Sequence, residues 1–205
     1  MNILYSEQSQ RTRSAELLVM VFVILLVGAM AFTTYRSISV GHILIAEYFI
    51  EIMALIVIVK QAVSRYTYIL TDSEFIIKEK SFFRNRTFSV KYDDIDGIYP
   101  YNRDFLTNLR YRYKYRKCST SDDRPIWFMV YSITKGTKVQ YGRVMLKADD
   151  AFYETLEQFV PNRVRVPEAD VIFYATVRAD AVKQGIDVKE YYDSLIKRTQ
   201  EQEQE

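Results

Sequence analysis

Leu17-Leu18-Val19-Met20-Val21-Phe22-Val23-Ile24-Leu25-Leu26-Val27-Gly28-Ala29-Met30-Ala31-Phe32 is an apolar run with no charge in it, and Thr33, Thr34 and Tyr35 lead out of it. A second apolar run extends from Ile38 to Val59, disturbed only by His42, Glu47 and Glu51. A helix needs about 20 apolar residues to cross roughly 30 Å of hydrocarbon, and both runs are about that long. The connection Tyr35-Arg36-Ser37 is too short to hold a domain. The two runs therefore predict a transmembrane helical hairpin over residues 15–63, with the rest of the chain hung on one side.

The chain has 205 residues. Setting the hairpin aside leaves about 140, roughly one domain by the usual length prior. With 28 Lys plus Arg against 26 Asp plus Glu, charge is nearly balanced, so any basic character is local. Cys118 is the only cysteine, which forbids an intrachain disulfide and fits a reducing compartment. One Cys and one His cannot build a Cys/His zinc site. The sequence has no glycine-rich phosphate loop, no nucleophile elbow and no His outside the hairpin to act as a base. The expectation is a protein that is not an enzyme, with no cofactor or metal.

Lys and Arg in the short flanks set the orientation. Arg11 and Arg13 precede the first run, Lys60 and Arg65 follow the second, and the turn holds only Arg36. Both termini are thus expected in the cytoplasm, with two spans in the inner cell membrane. Residues 1–14 read as a loose polar lead. The stretch Met1 to Glu16 lacks a small-residue cleavage pattern and opens into a full-length span, unlike a signal peptide. Asn85-Arg86-Thr87 matches a glycosylation sequon that this topology places on the cytoplasmic side.

After the hairpin the pattern changes to alternation. Tyr66 to Leu70, Glu74 to Lys80 and Arg86 to Tyr92 predict strands, with turns at Thr71-Asp72-Ser73 and Phe83-Arg84-Asn85. Ile98-Tyr99, Trp127 to Thr134 and Lys138 to Leu146 continue the series. Between them Leu109, Tyr111, Tyr113 and Tyr115 alternate with Arg110, Arg112, Lys114 and Arg116, which predicts a strand with an aromatic and a cationic face. Close spacing without helical crossovers points to an antiparallel arrangement. Asp149 or Asp150 can cap a helix through Val160 that buries Phe152, Leu156 and Phe159, and Pro161 stops it. Residues 161–205 read as an appended helical pair: Glu168 to Gln184 closed by Gly185, then a helix from Asp187 carrying Tyr191, Leu195 and Ile196.

This order of parts resembles the bacterial membrane-anchored pleckstrin-homology-like (PH-like) proteins. The resemblance rests on the hairpin, the strand ending Leu70-Thr71-Asp72, the Phe-Arg-Asn-Arg corner and Tyr92-Asp93-Asp94-Ile95-Asp96-Gly97-Ile98, and covers Ala15 to Val160. It implies an α+β membrane protein in which residues 64–160 form a seven-stranded, bent antiparallel barrel or sandwich. A C-terminal helix would cap it. The tail after Pro161 departs from the family pattern, and no catalytic residues carry over.

Two groups of residues compete as functional sites. Arg110, Arg112, Lys114, Arg116 and Lys117, with Arg103 nearby, make a cationic ribbon for anionic headgroups or a protein partner. The plain alternative is the solvated face of a strand whose tyrosines fill the core. Basic plus aromatic is also a single-stranded nucleic-acid pattern, but balanced charge and a membrane anchor disfavour it. The second group is Glu47 and Glu51, four apart on one helix face, with His42 nearer the outer interface. Carboxyls inside a span are neutral, paired or functional. They can bond Thr33, Thr34 or a second copy, or serve proton or ion coupling in a larger complex. Asp93, Asp94 and Asp96 read as a solvated turn, since EF-hand spacing is missing. Arg116 and Lys117 can lower the pKa of Cys118, but an exposed thiol without helical context reads as inert. The leading expectation is a non-enzymatic scaffold bound to lipid, a protein partner or itself. The alternative is an accessory subunit of a transport or energy-coupling complex.

Overall fold

The computed structural model describes residues 2–81, 85–101, 109–136 and 138–202. It is an α+β structure with two four-stranded sheets and a long helical pair. The first sheet has the order β1-β2-β3-β4, from Ile3–Gln8, Arg65–Thr71, Glu74–Lys80 and Asn85–Lys91. The second has the order β5-β7-β8-β6, from Ile95–Pro100, Trp127–Lys135, Lys138–Leu146 and Tyr111–Arg116. The helices are α1 (Arg13–Val40), α2 (Ile45–Val63), α3 (Asp150–Glu157), α4 (Glu168–Gln184) and α5 (Val188–Gln202).

Residues 1–14 are not a loose lead. Ile3–Gln8 forms β1, antiparallel to β2 with Ser6 opposite Ile69 and Gln8 opposite Thr67. Part-buried polar contacts hold it down. Tyr5 donates to the Asp149 carboxylate at 2.8 Å, and Glu7 accepts from the Asp149 N–H at 3.1 Å and pairs with Arg124. Since α1 and α2 lie between β1 and β2 in the chain, the helical pair is a long hairpin inserted into one antiparallel ladder. Both of its legs are anchored in the same sheet.

Phe75, Phe152, Tyr68 and Leu70, all fully buried, centre the main core, which α3 closes. Asp149 caps α3 by accepting from the Phe152 N–H at 2.8 Å. That helix ends at Glu157, short of the expected Val160. Tyr5, Tyr66 and Tyr92 are held up to about 12 by burial first, with hydrogen bonds and neighbouring charges adding smaller effects. Raised phenols stabilise the fold fully below their ordinary value of 10.0, and that stability is lost as pH climbs through about 12. Alkaline titration should therefore show a late fraction of the phenolate absorbance that rises together with unfolding in that window. Complete ionisation of all 17 tyrosines near 10 with the fold intact would sink the assignment.

The C-terminal part is not an appendage. Ile98 N–H donates to Arg163 C=O at 2.7 Å and Val166 N–H to Ile98 C=O at 3.1 Å, so this segment covers the outer edge of β5. Val171, Ala175, Val177, Arg178 and Ala181 bury the inner face of α4 against the second sheet. The approach is close at Gly97, where a Cβ would come within 2.7 Å of the Val171 side chain. Gly185 ends α4 with φ +68° in the left-handed region, as the sequence predicts, and Asp187 accepts from the Lys189 and Glu190 N–H groups to start α5.

The antiparallel expectation fails at one place: β6 pairs with β8 in parallel. The ladder also slips between Tyr111 and Tyr113. Tyr111 packs on the outer face of the second sheet with Tyr99, Phe128 and Val171, whereas Tyr113 and Tyr115 face inward toward Phe88 and Tyr131. Periodicity alone cannot see such a bulge, because one irregular residue moves every later side chain to the other face.

Candidate functional site

The neck between helices and sheets is built from both legs of the hairpin. Ser9 N–H donates to Tyr66 C=O at 2.7 Å, Arg11 donates through Nη2 to Ala62 C=O at 2.7 Å, and Thr12 N–H to Ser121 C=O at 3.0 Å. The loop after β6 is thus tied to the first turn of α1. Asp122 and Arg124 cross-link it further, with Arg124 Nη2 2.7 Å from Asp122. Burial pushes the Asp122 carboxyl up and the Arg124 guanidinium down, partly opposed by their partners.

Cations gather at this level. Arg65, the first residue of β2, lies directly opposite Lys80, and Arg86 lies opposite Glu79. Lys60 and Arg116 line one cavity of about 220 Å³ with Glu79 and Cys118. Arg13, Lys60, Arg65, Lys80, Arg86 and Arg116 are exposed. Like charges directly opposite on a ladder repel, and Glu79, next to Lys80 in the strand, is already engaged by Lys117 at 2.7 Å.

That ion pair corrects the ribbon. Lys117 is buried, reaching inward to Glu79, and belongs to the domain's internal wiring. Arg110, Arg112, Lys114 and Arg116 are exposed, with the Arg112 guanidinium 5.7 Å from the Tyr113 ring. Arg103 lies outside the described residues. Cys118 is not an exposed thiol either. It is 3% exposed, and burial raises its pKa against the opposing pull of Arg116.

Asp96 is the largest departure among the acids. It is fully buried rather than solvated in a turn, accepts a hydrogen bond from Ser132, and its Oδ1 lies 2.7 Å from Arg178 Nε. The contact is a charge pair without hydrogen-bond alignment. Arg178 also donates to Asp93 C=O. Burial raises the Asp96 pKa, and Arg178, Ser132 and Arg163 oppose it. Its partner comes from a helix 82 positions later (178 − 96), which no local pattern reveals.

Between the helices, Glu51 accepts from Thr33 at 2.8 Å, as one sequence reading anticipates, while Thr34 accepts from Tyr48 at 2.7 Å. Glu47 instead pairs with Arg36, both oxygens at 3.1 Å. His42 lies in the exposed turn that follows Gly41. By length and composition α1 is apolar enough to cross a membrane. The 19-residue α2 carries three charged side chains, Glu47, Glu51 and Lys60.

The last feature is a groove of about 330 Å³ between β4 and β6, whose walls include Phe88, Val90, Tyr113 and Tyr115, over Tyr131 and Ile133. Gly142 makes its floor possible, because a Cβ there would lie 2.1 Å from the Tyr131 ring. Gly142→Ala should displace that ring and cost about 1–3 kcal/mol by overpacking, read from denaturant unfolding. An unchanged midpoint would show that Tyr131 is not pinned. Comparison with protein-family models, curated proteins and solved structures finds no match for this chain.

Proposed function

We propose that the chain is a non-enzymatic, membrane-anchored scaffold. On this reading its helical pair spans the cytoplasmic membrane twice and its β-domain, PH-like in plan, rests on anionic headgroups through the cationic neck. The observation that carries the reading is the Arg65–Lys80 juxtaposition where β2 follows α2, with Lys60 in the last turn of that helix, at the base of the helical pair whose first member is apolar enough to span a membrane. An anionic surface relieves that repulsion, at about 1 kcal/mol per Lys or Arg. At 1.5 Å per residue α2 extends about 28 Å, enough to cross beside α1. Its inner carboxyls meet Arg36 and Thr33, and Lys60 sits at the cytoplasmic end. Among the described residues, seven strands following the hairpin, closed by α3, support the PH-like plan.

The test compares the full chain in nanodiscs of zwitterionic lipid and in nanodiscs containing phosphatidylglycerol. Hydrogen exchange at the β2–β3 base and the start of β4 should slow in the anionic discs, and high salt should erase the difference. Identical exchange in both discs would overturn the headgroup assignment.

The second reading, an accessory subunit of a larger membrane complex, is favoured by one observation: Glu51 Oε2 is buried without a hydrogen-bond partner. Glu51→Gln keeps an acceptor for Thr33 and should leave the protein intact if the carboxyl only holds the helices together. Loss of a co-purifying membrane partner on that change would favour the second reading.

A further inference from the structure

The chain protects its strand edges unevenly. The outer edge of β5 is covered by residues 163–166, while β4 and β6 have no further strand partner among the described residues. These two open edges flank the same aromatic groove. A strand edge carries a row of free N–H and C=O groups that another extended chain can pair with. Here the edge comes with two chemically different faces. Toward the groove stand Phe88, Tyr113 and Tyr115, with Phe88 5.4 Å from Tyr115. Toward the other face stand the exposed Lys114 and Arg116, and Lys114 is side by side with Arg143 across the β6–β8 ladder. Arg112 adds a third exposed cation at the bulge.

We propose that β6 is a docking edge for an extended segment of a partner protein in which apolar and acidic residues alternate. Paired along Tyr111–Arg116, such a segment places every second side chain in the aromatic groove and the intervening carboxylates beside Lys114 and Arg116. Six residues at about 3.3 Å each span about 20 Å, the length of the strand. Charge complementarity selects acidic over basic segments, and the two-sided pattern selects alternation over mere negative charge. This surface adjoins the lipid-facing neck at Arg116 and leaves Lys60, Arg65 and Lys80 to the headgroups, so a scaffold can hold membrane and partner together.

The test uses the full chain in zwitterionic nanodiscs and three blocked hexapeptides. One alternates valine and glutamate, the second has the same composition with three valines followed by three glutamates, and the third is the alternating peptide methylated on its amide nitrogens. The alternating peptide should bind at least tenfold more tightly than either control. Arg112→Glu with Lys114→Glu should abolish that preference while leaving the unfolding midpoint in place. Equal affinity for the alternating and block peptides would reduce the site to electrostatics and overturn the proposal. Absence of binding by all three would overturn it too. A drop in oligomeric size of the double variant, without peptide present, would assign the edge to a second copy of this chain and also overturn it.

Discussion

Arg178→Met is expected to destabilise the fold by about 3–5 kcal/mol at neutral pH, because it strands a buried carboxylate. Asp96 is fully buried, and its compensating charge comes from Arg178 at 2.7 Å. The Ser132 hydrogen bond remains in the variant, but a hydroxyl cannot neutralise a charge. The pH dependence has a definite sign. Burial already raises the folded-state pKa of Asp96, and Arg178 is the largest influence opposing that rise. Removing Arg178 raises it further. A carboxyl with a raised folded pKa contributes stability that is complete below the unfolded value and disappears as pH rises through the folded one. The variant's deficit should therefore be largest at neutral and alkaline pH and shrink toward about pH 4, the ordinary carboxylate range. Trp127, the only tryptophan, packs on Tyr153 at 5.3 Å and reports unfolding by fluorescence. Adding Asp96→Asn to Arg178→Met should recover part of the loss, since the uncompensated charge is gone. A deficit that is the same at pH 4 and pH 8 would show that lost packing by the Arg178 stem, rather than the buried charge, sets the effect.

That pair also marks where reading the sequence stops. Glu74–Lys80, Lys138–Leu146 and Glu168–Gln184 are legible to the residue, because each alternates or repeats cleanly between a turn or cap and its neighbour. The two apolar helices are plain as well, but their turn is not. Tyr35-Arg36-Ser37, expected as the connection, lies inside α1, which runs on to Val40, and the chain reverses at residues 41–44, where Gly41 takes a left-handed φ of +77°. What local pattern cannot carry is partnership across the chain. Lys117 and Arg116 are adjacent cations in sequence, yet one is buried on Glu79 and the other exposed. Asp93 and Asp96 look alike, and only Asp96 turns inward to a helix far downstream. Ile3–Gln8 is short and polar, and its reason for being a strand lies in Asp149 and Arg124, more than a hundred residues away. The tyrosine alternation survives as far as the bulge after Tyr111, where a parallel pairing invisible to periodicity changes the face. Strand edges show the same limit. Their openness depends on what the rest of the fold covers, so the β6 groove becomes visible only once residues 163–166 are seen closing β5.

Phe152→Ala is expected to cost about 3–5 kcal/mol, the range for deleting a buried aromatic ring from a packed core. The ring is fully buried and contacts four others, with centroids at 6.2 Å to Tyr5, 5.9 Å to Tyr68, 5.4 Å to Phe75 and 5.3 Å to Tyr153. Those partners come from β1, β2, β3 and α3 itself, so one side chain joins the first sheet to the helix that closes the core. An eight-residue helix is too short to persist alone and depends on this packing and on the Asp149 cap. The consequence extends to the neck. Tyr5 both touches Phe152 and donates to Asp149, and its strand continues into α1. Loosening α3 should therefore speed hydrogen exchange along the β1–β2 ladder as well as within the helix, while α1–α2 contacts such as Thr33–Glu51 stay protected. Phe152→Leu, which keeps most of the volume, should lose much less. If Phe152→Ala cost under about 1 kcal/mol, or if β1 exchanged no faster, then α3 would not couple the core to the neck. The headgroup-bound surface would then have to move independently of the domain core behind it.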